Sequence, residues 1–515
     1  MEARGQITGS KLIITLVAMG GALMAFIDIS IVNVALSDMR ASFGTPLDQI
    51  GWVSTGYMMA NIVVIPMTGW FQRRFGFRRY FSASVLVFTA ASALCGLAWS
   101  LPSLVAFRVL QGLGGGAIIP TAQSLLFARY PKAQHGMAAG LFGLGAVTGP
   151  LLGPTIGGYL TSWASWHWIF LVNVPLGLVV ALVAARVIEE PGFVAPREPI
   201  DVFGIALLAV GMPALQYVLE EGNREGWFES GTIVVLSIVA AIALITFIVH
   251  ELEAKNPVVD LRVFANRTYA GGTVVNFLTG LALFGSTYLF SLFCGSVMHY
   301  TALDIGRVFL VAGLLQLFLM PMVGRIAPKM DGRWLLVFGI ITVAASQAVA
   351  GNLTSLAGFS DLVRPQIVRA IGLSFIFIPV SVMALSDLSG DQRGNATGLF
   401  NLTRELGGSI GTAWMGMVVT DGIKIHGSAL GAHVTVFDPA VQEQLKLLAS
   451  NVGTRATSGQ LVPEAILQLR VVGQAMVLSF EDGFRLAGIA ILLGLIAVAL
   501  MKRPRAGVAV SPAAH

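Results

Sequence analysis

The stretch GLGAVTGPLLGPTIGGYL, residues 143–160, decides the fold. It is apolar and about long enough to cross a hydrocarbon core of roughly 30 Å as an α-helix. Glycine recurs at every fourth position. A step of four residues turns a helix by about 400°, so these glycines form one smooth stripe that a second helix can approach closely. The stretch therefore predicts a membrane-spanning helix in tight contact with a neighbour.

The stripe and the prolines beside it form a candidate conformational motif. Proline removes a backbone donor and bends a helix, and surrounding helices in a membrane protein satisfy the freed groups. Two interpretations stay open: a static close-packed interface, or a bendable helix on which two halves of a transporter rock. The motif residues are Gly145, Gly149, Pro150, Gly153, Pro154, Gly157 and Gly158.

The whole chain shares this apolar character. Its 515 residues are 55% hydrophobic and 11% charged, which is far more apolar than a soluble protein of this length. The alternating pattern of a membrane β-barrel is absent. The first apolar run is longer than a signal peptide and ends without a small-residue cleavage site, which favours a retained first span. The composition predicts an all-α integral membrane protein, with Cys95 and Cys294 as packing residues.

Fourteen apolar runs, bounded by charged or turn-forming loops, are candidate membrane spans. With the N-terminus inside, cytoplasmic segments hold about twenty Lys and Arg, and outer segments about seven. Both termini are therefore predicted to be cytoplasmic. This bias also accounts for the net charge of +5, so nucleic-acid binding is not predicted. The runs lie near 12–36, 50–70, 80–99, 102–127, 137–160, 168–187, 202–219, 231–250, 271–293, 302–323, 334–351, 365–386, 397–420 and 485–501.

One long extramembrane segment, residues 421–481, separates the last two spans and is predicted to lie on the outer, periplasmic face. It contains VQEQLKLLAS and AILQLRVVGQAMVLSF, both compatible with short amphipathic helices. A small cap or partner-binding surface fits this pattern, and so does a variable connecting loop.

An internal repeat divides the chain. GWFQRRFGFRR at 69–79 has its counterpart 255 residues later in GRIAPKMDGRW at 324–334, with glycine and basic residues at matching positions. Parallel repeats of this kind are typical of secondary transporters. The predicted organisation is an N-terminal six-helix half at 1–190, two inserted linker helices at 191–255 and a C-terminal six-helix half at 256–515.

Several motifs together resemble the major facilitator superfamily. The opening stretch resembles its antiporter motif, gxxxGPxxGG, which marks exporters. AFRVLQGLGGGAIIP at 106–120 resembles its fourth-span motif, RxxqGxgaa. DISIVNVAL at 28–36 resembles the first-span motif of the fourteen-span drug:proton antiporters. Further segments resemble the EmrB/QacA group, and the segment at 52–70 its EmrB-type subset: WHWIFLVNVPLG, NLTRELGGSIGTAW and WVSTGYMMANIVVIPMTGW.

The resemblance implies a major facilitator fold with fourteen transmembrane helices. It also implies an inner-membrane drug:proton antiporter and, for the EmrB-type subset, a periplasmic adaptor (membrane fusion) protein as partner. One position departs from the family. The loop between spans 2 and 3 usually has the motif GxLaDRxGrr, and here Arg73 stands where an aspartate is usual. A carboxylate that would pair across the cytoplasmic gate is missing from that position.

The other residues of this loop motif are Gly69, Arg74, Gly76, Arg78 and Arg79. Gating and simple positive-inside anchoring both remain open for the arginines.

Charges inside the spans are the candidate proton-coupling residues, because a charge in the bilayer is costly and marks function by default. Asp28 and Arg108 each lie on the order of 10 Å below the outer surface and are placed to pair. A carboxylate there can exchange a proton when a neighbouring charge changes its pKa. The alternatives are that Arg108 is a structural arginine and that Asp28 is only a buried, hydrogen-bonded carboxylate. Glu405 and its neighbour Arg404 lie inside span 13 and point to different helix faces.

Polar side chains within the spans are the candidates for a substrate cavity: Asn33, Tyr57, Gln123, Tyr288 and Arg404. Arginines near outer span ends are predicted to snorkel to the interface: Arg307, Arg369 and Arg485.

The sequence does not support an enzyme site. GLGGGA fits a dinucleotide-binding pattern but lies within a span without a preceding strand, no P-loop sequence occurs, and no His/Cys cluster has metal spacing. Without an enzyme site, metal or cofactor, transport is expected to draw on the proton gradient. The sequence predicts a proton-coupled multidrug exporter of small amphiphilic compounds. Export of an endogenous metabolite, such as a fatty acid, siderophore or amino-acid derivative, is the alternative, and a receptor or scaffold that has lost transport is the third.

Overall fold

The computed structural model describes residues 10–191, 193–196, 199–386, 388, 390–434, 438–453 and 463–501. The described residues form an all-helical fold, which confirms the predicted all-α class. The α-helices are α1 Lys11–Phe43, α2 Leu47–Ile50, α3 Trp52–Cys95, α4 Leu101–Arg129, α5 His135–Trp163, α6 Trp168–Leu171, α7 Asn173–Val187, α8 Val202–Glu221, α9 Gly231–Glu253, α10 Arg267–Ser296, α11 Ala302–Ile326, α12 Gly332–Ala350, α13 Phe359–Leu385, α14 Gly390–His433, α15 Pro439–Gly453, α16 Pro463–Leu492 and α17 Gly494–Leu500.

Eleven helical segments among the described residues are long and apolar enough to cross a membrane. Helices α3 and α14 are not among the eleven, and they contain the predicted spans near 50–70, 80–99 and 397–420. The count of fourteen stays a prediction. Two predicted spans join within α3 at Gly76, whose φ of 78° and ψ of 161° interrupt the helix. Only glycine adopts this backbone conformation without strain, which is why the chain bends there.

The helices pack as two similar sets. In the first set α4 contacts α1 and α3, and α7 contacts the same two helices. In the second set α13 contacts α10 and α12, and α16 contacts the same two helices. The inserted helices α8 and α9 pack against each other. The second set therefore repeats the helix arrangement of the first, while the residue boundaries assigned to the two halves stay a prediction.

The two sets meet at the end of the bundle that carries the bend at Gly76, here named the basic end for Arg73, Arg74, Arg78 and Arg79 beside that bend. Helix α5 contacts α11 there, and α14 contacts both α3 and α4.

The contacts at the basic end are close. A Cβ added at Gly69 would lie 2.7 Å from the carbonyl carbon of Gly394, so the backbones of α3 and α14 almost touch. This interface between the two sets at the basic end is named the seam. Deeper along it, Asn401 Nδ2 of α14 donates to Gln123 Oε1 of α4 at 2.7 Å. The structure is therefore closed at the basic end.

At the opposite end, α8 lies between the two sets and contacts both α3 and α14. The rings of Trp52 and Tyr217 are 5.6 Å apart. At the preceding residue of α8, Gln216 Oε1 accepts a hydrogen bond from Ser409 Oγ of α14 at 3.1 Å. Helix α8, the first inserted helix, thus connects the two sets through side-chain contacts as well as through the covalent polypeptide chain.

The segment predicted as a loop at 421–481 is largely helical in its described part. Helix α14 continues to His433, and α16 begins at Pro463, well before the predicted last span. The pattern VQEQLKLLAS lies in α15 and AILQLRVVGQAMVLSF lies in α16. The two helices extend beyond the predicted spans and pack together there: His426 Nε2 and Asp482 Oδ2 are 2.8 Å apart. The ends of the flanking spans and the outer location of the segment stay predictions.

Candidate functional site

Asp28 and Arg108 form a buried ion pair. Arg108 Nη1 lies 2.7 Å from Asp28 Oδ2, and the two residues are 1% and 0% exposed. Two amides complete the site, since Gln111 Nε2 and Asn173 Nδ2 donate to Asp28 Oδ1 at 2.8 and 3.0 Å. Three hydrogen bonds from α4 and α7 therefore converge on one carboxylate of α1. Sequence reasoning brought Asp28 and Arg108 together but missed Gln111 and Asn173.

Arg108 also fixes α4 to α3. Its Nε donates to the carbonyl oxygen of Val53 at 3.0 Å, and its Nη1 also donates to Gln111 Oε1 at 2.8 Å. The guanidinium carbon lies 4.2 Å from the centre of the Tyr57 ring, a cation–π distance. Arg108 contacts α1, α3 and α4, so a change in the charge of Asp28 affects the contacts between three helices.

The sequence GLGGGA explains how α3 and α4 come this close. A Cβ at Gly112 would lie 2.9 Å from the Ala60 side chain, and one at Gly116 would lie 2.5 Å from the Asn61 carbonyl oxygen. Glycine at these positions lets the two backbones touch. The motif that resembles a nucleotide-binding pattern is therefore a helix-packing surface.

A narrow cavity lies between the two sets of helices, and it brings Arg404 and Glu405 of α14 against α3 and α4. Arg404 Nη2 donates to Asn401 Oδ1 at 3.1 Å and lies 3.6 Å from Glu405 Oε1. The residues that line the cavity are mostly apolar or small: Ile29, Met58, Asn61, Ile65, Gly115, Gly116, Ile119, Pro120, Asn401, Arg404 and Glu405. The cavity therefore has a charged pair at one wall and mainly apolar or small residues at the others.

Tyr57 connects the ion pair to this cavity. Its ring packs on Arg108, and its hydroxyl faces Gly115, where an added Cβ would lie 2.5 Å away. The buried Tyr57 hydroxyl has no hydrogen-bond partner among the described residues, and the same holds for Asn61 Nδ2 one turn further along α3. One aromatic ring therefore separates the buried charges from the cavity wall.

Other predicted cavity residues lie elsewhere. Gln123 is buried in the seam at the basic end, Tyr57 lies behind the cavity wall, and Asn33 is exposed and accepts a hydrogen bond from Ser54 at 3.4 Å. Tyr288 is 40% exposed. Of the predicted residues, Arg404 lines this cavity and these four do not. The substrate role of all five stays a prediction.

The glycine stripe packs inside one set of helices. Gly145 faces Leu23, Gly149 faces Phe26, Gly153 faces Ser30 and Gly157 faces Ile31, all on α1. Gly158 has nothing within 4 Å of an added Cβ, and the side chain of Pro150 lies outside the described residues. Helix α5 runs unbroken through Pro150 and Pro154. The rocking role of the stripe stays a prediction, and the helix in contact with it belongs to the same half.

Different glycines, which the sequence reasoning did not single out, join α5 to the second set. Gly136 lies against the carbonyl oxygen of Gly324, while Gly140 and Gly143 face the backbone and sulfur of Met320 on α11. They occupy the basic-end half of α5, and the recurrence of glycine at 136, 140 and 143 was the available signal.

The loop motif at 69–79 obtains a carboxylate from another segment. Glu190, which follows α7, accepts hydrogen bonds from the backbone N–H groups of Phe77 and Arg78 at 2.9 and 3.0 Å. It caps the helix that restarts after Gly76. Arg74 Nη1 donates to the Pro196 carbonyl oxygen in the linker. The motif is therefore tied to the segment after α7, and the carboxylate at this site comes from Glu190 and not from position 73.

The snorkelling prediction is wrong for Arg369. The side chains of Arg307 and Arg485 are 62% and 58% exposed, whereas Arg369 is only 7% exposed as a residue. Arg369 faces the interior of the bundle, where its Nη1 donates to Ser286 Oγ and Thr287 Oγ1 of α10, so the side chain does not extend toward an interface.

The fold and the site define a membrane transporter built from two similar helical sets around a central cavity. A model of the Major Facilitator Superfamily matches residues 18–412, more than half of the chain, and the chain belongs to this family. It is a multi-pass membrane protein and a transporter rather than an enzyme, as predicted.

Among its relatives, the Multidrug export protein EmrB of Haemophilus influenzae is 33% identical over 97% of each chain. The Multidrug export protein EmrB of Escherichia coli is 33% identical over 96% of this chain and 97% of that one. The Fatty acid resistance protein FarB of Neisseria gonorrhoeae is 31% identical over 93% of this chain and 94% of its own. These relatives confirm the predicted family.

Two solved structures share the fold. The human organic anion transporter MFSD10 superimposes with a TM-score of 0.62 at 13% identity, covering 95% of this chain and 100% of its own. A proton:xylose symporter superimposes with a TM-score of 0.60 at 14% identity, covering 94% and 96%. At these identities the comparison shows the fold alone.

Proposed function

We propose that this protein is a proton-coupled multidrug efflux transporter that exports amphiphilic compounds from the inner membrane by alternating access. The relatives named as multidrug export proteins support the substrate class. The observation that carries the proposal is the carboxylate of Asp28, fully buried and held by Arg108, Gln111 and Asn173. A buried carboxylate held by one cation and two neutral amides changes the balance of local charge whenever it gains or loses a proton.

In this proposal protonation of Asp28 starts the conformational change. A neutral Asp28 leaves the buried guanidinium of Arg108 without its counter-ion, and an unpaired buried charge is costly. The cost is relieved when α1, α3 and α4 rearrange, because Arg108 contacts all three. Tyr57, packed between Arg108 and the cavity wall at Gly115, transmits the rearrangement to bound substrate.

Glu405 and Arg404 give the cavity its charges. Glu405 suits the cationic group of an amphiphilic drug, and the aliphatic walls at Met58, Ile65 and Ile119 suit its apolar part. The alternative substrate, an endogenous carboxylate such as a fatty acid, is favoured by Arg404, whose guanidinium accepts a carboxylate. The likeness to a fatty acid resistance protein supports the same alternative.

The closed basic end corresponds to one state of the alternating-access cycle. With the basic end in the cytoplasm, as the positive-inside bias predicts, the conformation is closed toward the cytoplasm. Opening there requires Gly136 to leave Gly324 and Gln123 to leave Asn401.

The decisive experiment measures substrate-induced proton release in proteoliposomes across a chemically diverse panel of cationic, neutral and carboxylate compounds. Asp28→Asn removes the titrating proton and keeps the shape of the side chain, so drug-dependent proton flux should fall to the level of empty liposomes. Asp38→Asn is the matched control, because Asp38 is an exposed carboxylate on the same helix. Wild-type flux in Asp28→Asn would exclude Asp28 as the coupling site, and flux only with carboxylates would favour the metabolite alternative.

The proposed periplasmic adaptor would bind the extension formed by α14, α15 and α16. Helix α15 lies on α16, where Arg470 Nη1 donates to Gln444 Oε1 at 3.3 Å. A stable interface needs about 800 Å² per partner, which an extramembrane helix pair can offer. Replacing α15 by a flexible linker should leave proton-coupled transport in liposomes intact but reduce drug resistance in cells and adaptor pull-down. Undiminished adaptor binding would place the contact elsewhere.

A further inference from the structure

The exposed face of α3 beyond the bend at Gly76 ends in an arginine. Exposed residues recur there every three or four positions, so they share one face of the helix. The face is apolar from Ala83 to Leu94 and becomes charged at Arg79. An exposed apolar face of a helix in a membrane protein contacts lipid, so Arg79 lies where the lipid tails end. The exposed residues are Arg79, Ala83, Leu86, Val87, Ala90 and Leu94.

The length of this face places Arg79 at the level of the lipid headgroups. The helix rises about 24 Å from Arg79 to its end at Cys95, which is most of a hydrocarbon core of roughly 30 Å. On the other side of the bend Phe75 is 45% exposed, and its ring stacks on Phe71 with the ring centres 6.1 Å apart. Aromatic and basic side chains together are typical of a membrane interface.

Three arginines at this level, here named the arginine patch, are Arg73, Arg78 and Arg79. Their side chains have no ion pair or hydrogen bond with any other residue that the structure describes. Glu190 lies beside them, but its two oxygens accept from the backbone N–H groups of Phe77 and Arg78 and not from a guanidinium. Arg78 and Arg79 are both exposed. The donors of the patch are therefore available to an anion from outside the chain.

The second half of the repeat shows a different arrangement. Arg333 stands 255 residues after Arg78, at the matching position of the internal repeat. Its Nη1 donates to the Met501 carbonyl oxygen at 3.0 Å, and its Nε lies 3.8 Å from Asp331 Oδ2. The arginine of the second half is thus bound within the protein, whereas the one in the first half is not.

We propose that the arginine patch and the apolar face beside it bind an anionic phospholipid such as phosphatidylglycerol. The phosphate lies against the arginines and the acyl chains lie along the face. An anionic headgroup is favoured over a zwitterionic one because the patch and Arg74 together outnumber the nearby acidic residues Glu189 and Glu190. The continuity of the charged and apolar surfaces favours a lipid over a soluble phosphate, which has no tail to contact the face.

The test measures the melting temperature of the purified protein in detergent micelles as phosphatidylglycerol or phosphatidylcholine is added. A lipid that binds the folded protein raises its melting temperature, so phosphatidylglycerol should act at a lower mole fraction than phosphatidylcholine. The effect should weaken as salt is raised, because exposed charges are screened. Equal effects of the two lipids, or the same stabilisation by soluble glycerophosphate, would overturn the proposal.

Variants of the patch locate the site. In Arg78→Gln/Arg79→Gln the phosphatidylglycerol needed for half of the effect should rise about 25-fold, or about fivefold for each arginine. The matched control is Arg307→Gln/Arg364→Gln, which removes two exposed charges at the opposite end that already pair with Asp304 and Asp361. The control should respond as the wild type does.

If the double glutamine variant fails to fold, Arg79→Gln alone decides, with a fivefold change expected. Arg78→Lys/Arg79→Lys keeps both charges and should keep most of the effect. A wild-type response in Arg79→Gln, or an equal loss in the control, would show that the lipid does not bind at the arginine patch.

Discussion

Replacing Gly136 by alanine tests whether the glycine contact between α5 and α11 sets the closed basic end. A Cβ at Gly136 would lie 2.9 Å from Pro328 Cδ and closer still to the carbonyl oxygen of Gly324. Ordinary contacts begin near 3.4 Å, so the opposing backbone must retreat by several tenths of an ångström to about 1 Å. Overpacking of this kind costs about 1–3 kcal/mol.

This cost destabilises the conformation that is closed at the basic end, because the contact exists only where the two sets of helices meet. A shift of about 1–3 kcal/mol changes the ratio of closed to open forms by about 5- to 150-fold. Gly136→Ala should therefore populate a form open at the basic end and slow export, while leaving the packing within each set unchanged.

The assay is the rate of maleimide labelling at a single cysteine placed at position 72, since Gln72 is buried in this seam at 4% exposure. The native Cys95 and Cys294 are replaced by alanine in the parent protein. Gly158→Ala is the control, because it adds the same methyl group to the same helix with nothing within 4 Å. Equal labelling rates in Gly136→Ala and Gly158→Ala would refute the role assigned to this contact.

Three further substitutions probe the site and its supports. Arg108→Lys keeps the charge but cannot contact Asp28 and the Val53 carbonyl with a planar fork, so export in proteoliposomes should fall at least about tenfold; wild-type export would contradict the assigned geometry. Gly149→Leu inserts a side chain where a Cβ already lies 2.8 Å from the backbone of Phe26, so both the melting temperature and export should drop; lost export at an unchanged melting temperature would favour the rocking interpretation. Glu190→Gln leaves one acceptor for two N–H groups and should lower stability by about 1 kcal/mol in a melting experiment; unchanged stability would show that the cap contributes nothing.

The ion pair could be predicted from the sequence, because the rise per residue of a helix converts the number of residues from a span end into a depth in the membrane. Asp28 and Arg108 were placed at a similar depth from their span ends, and the structure brings them to 2.7 Å. Gln111 lies one turn after Arg108, so its spacing carried a usable signal. Asn173 is 145 residues away from Asp28 in the chain, and no local pattern connects them. Their role in proton coupling stays a prediction.

Spacing patterns predicted close approach but not the partner. The four-residue glycine repeat correctly indicates a helix contact for Gly149, yet nothing in it distinguishes α1 from a helix of the other half. The distance from a span end does not show which way a side chain points. Arg369 lies near the end of its predicted span, yet it faces α10 and is buried there. The cap at Glu190 depends on a tertiary contact and is likewise invisible in the sequence.

Helix α8 gives this transporter a strut that a bundle of two six-helix halves lacks. At the end opposite the closed basic end, Tyr217 of α8 contacts Trp52 of α3, and Gln216 of α8 accepts a hydrogen bond from Ser409 of α14. In the alternating-access cycle proposed above, the halves pivot about the basic end and this far end travels furthest, so one of the two contacts of α8 must change in every cycle. A ring contact slides at little cost, whereas a half-buried hydrogen bond breaks at a higher one. We therefore expect α8 to move with α14 and to slide over α3, as a moving part of the second half.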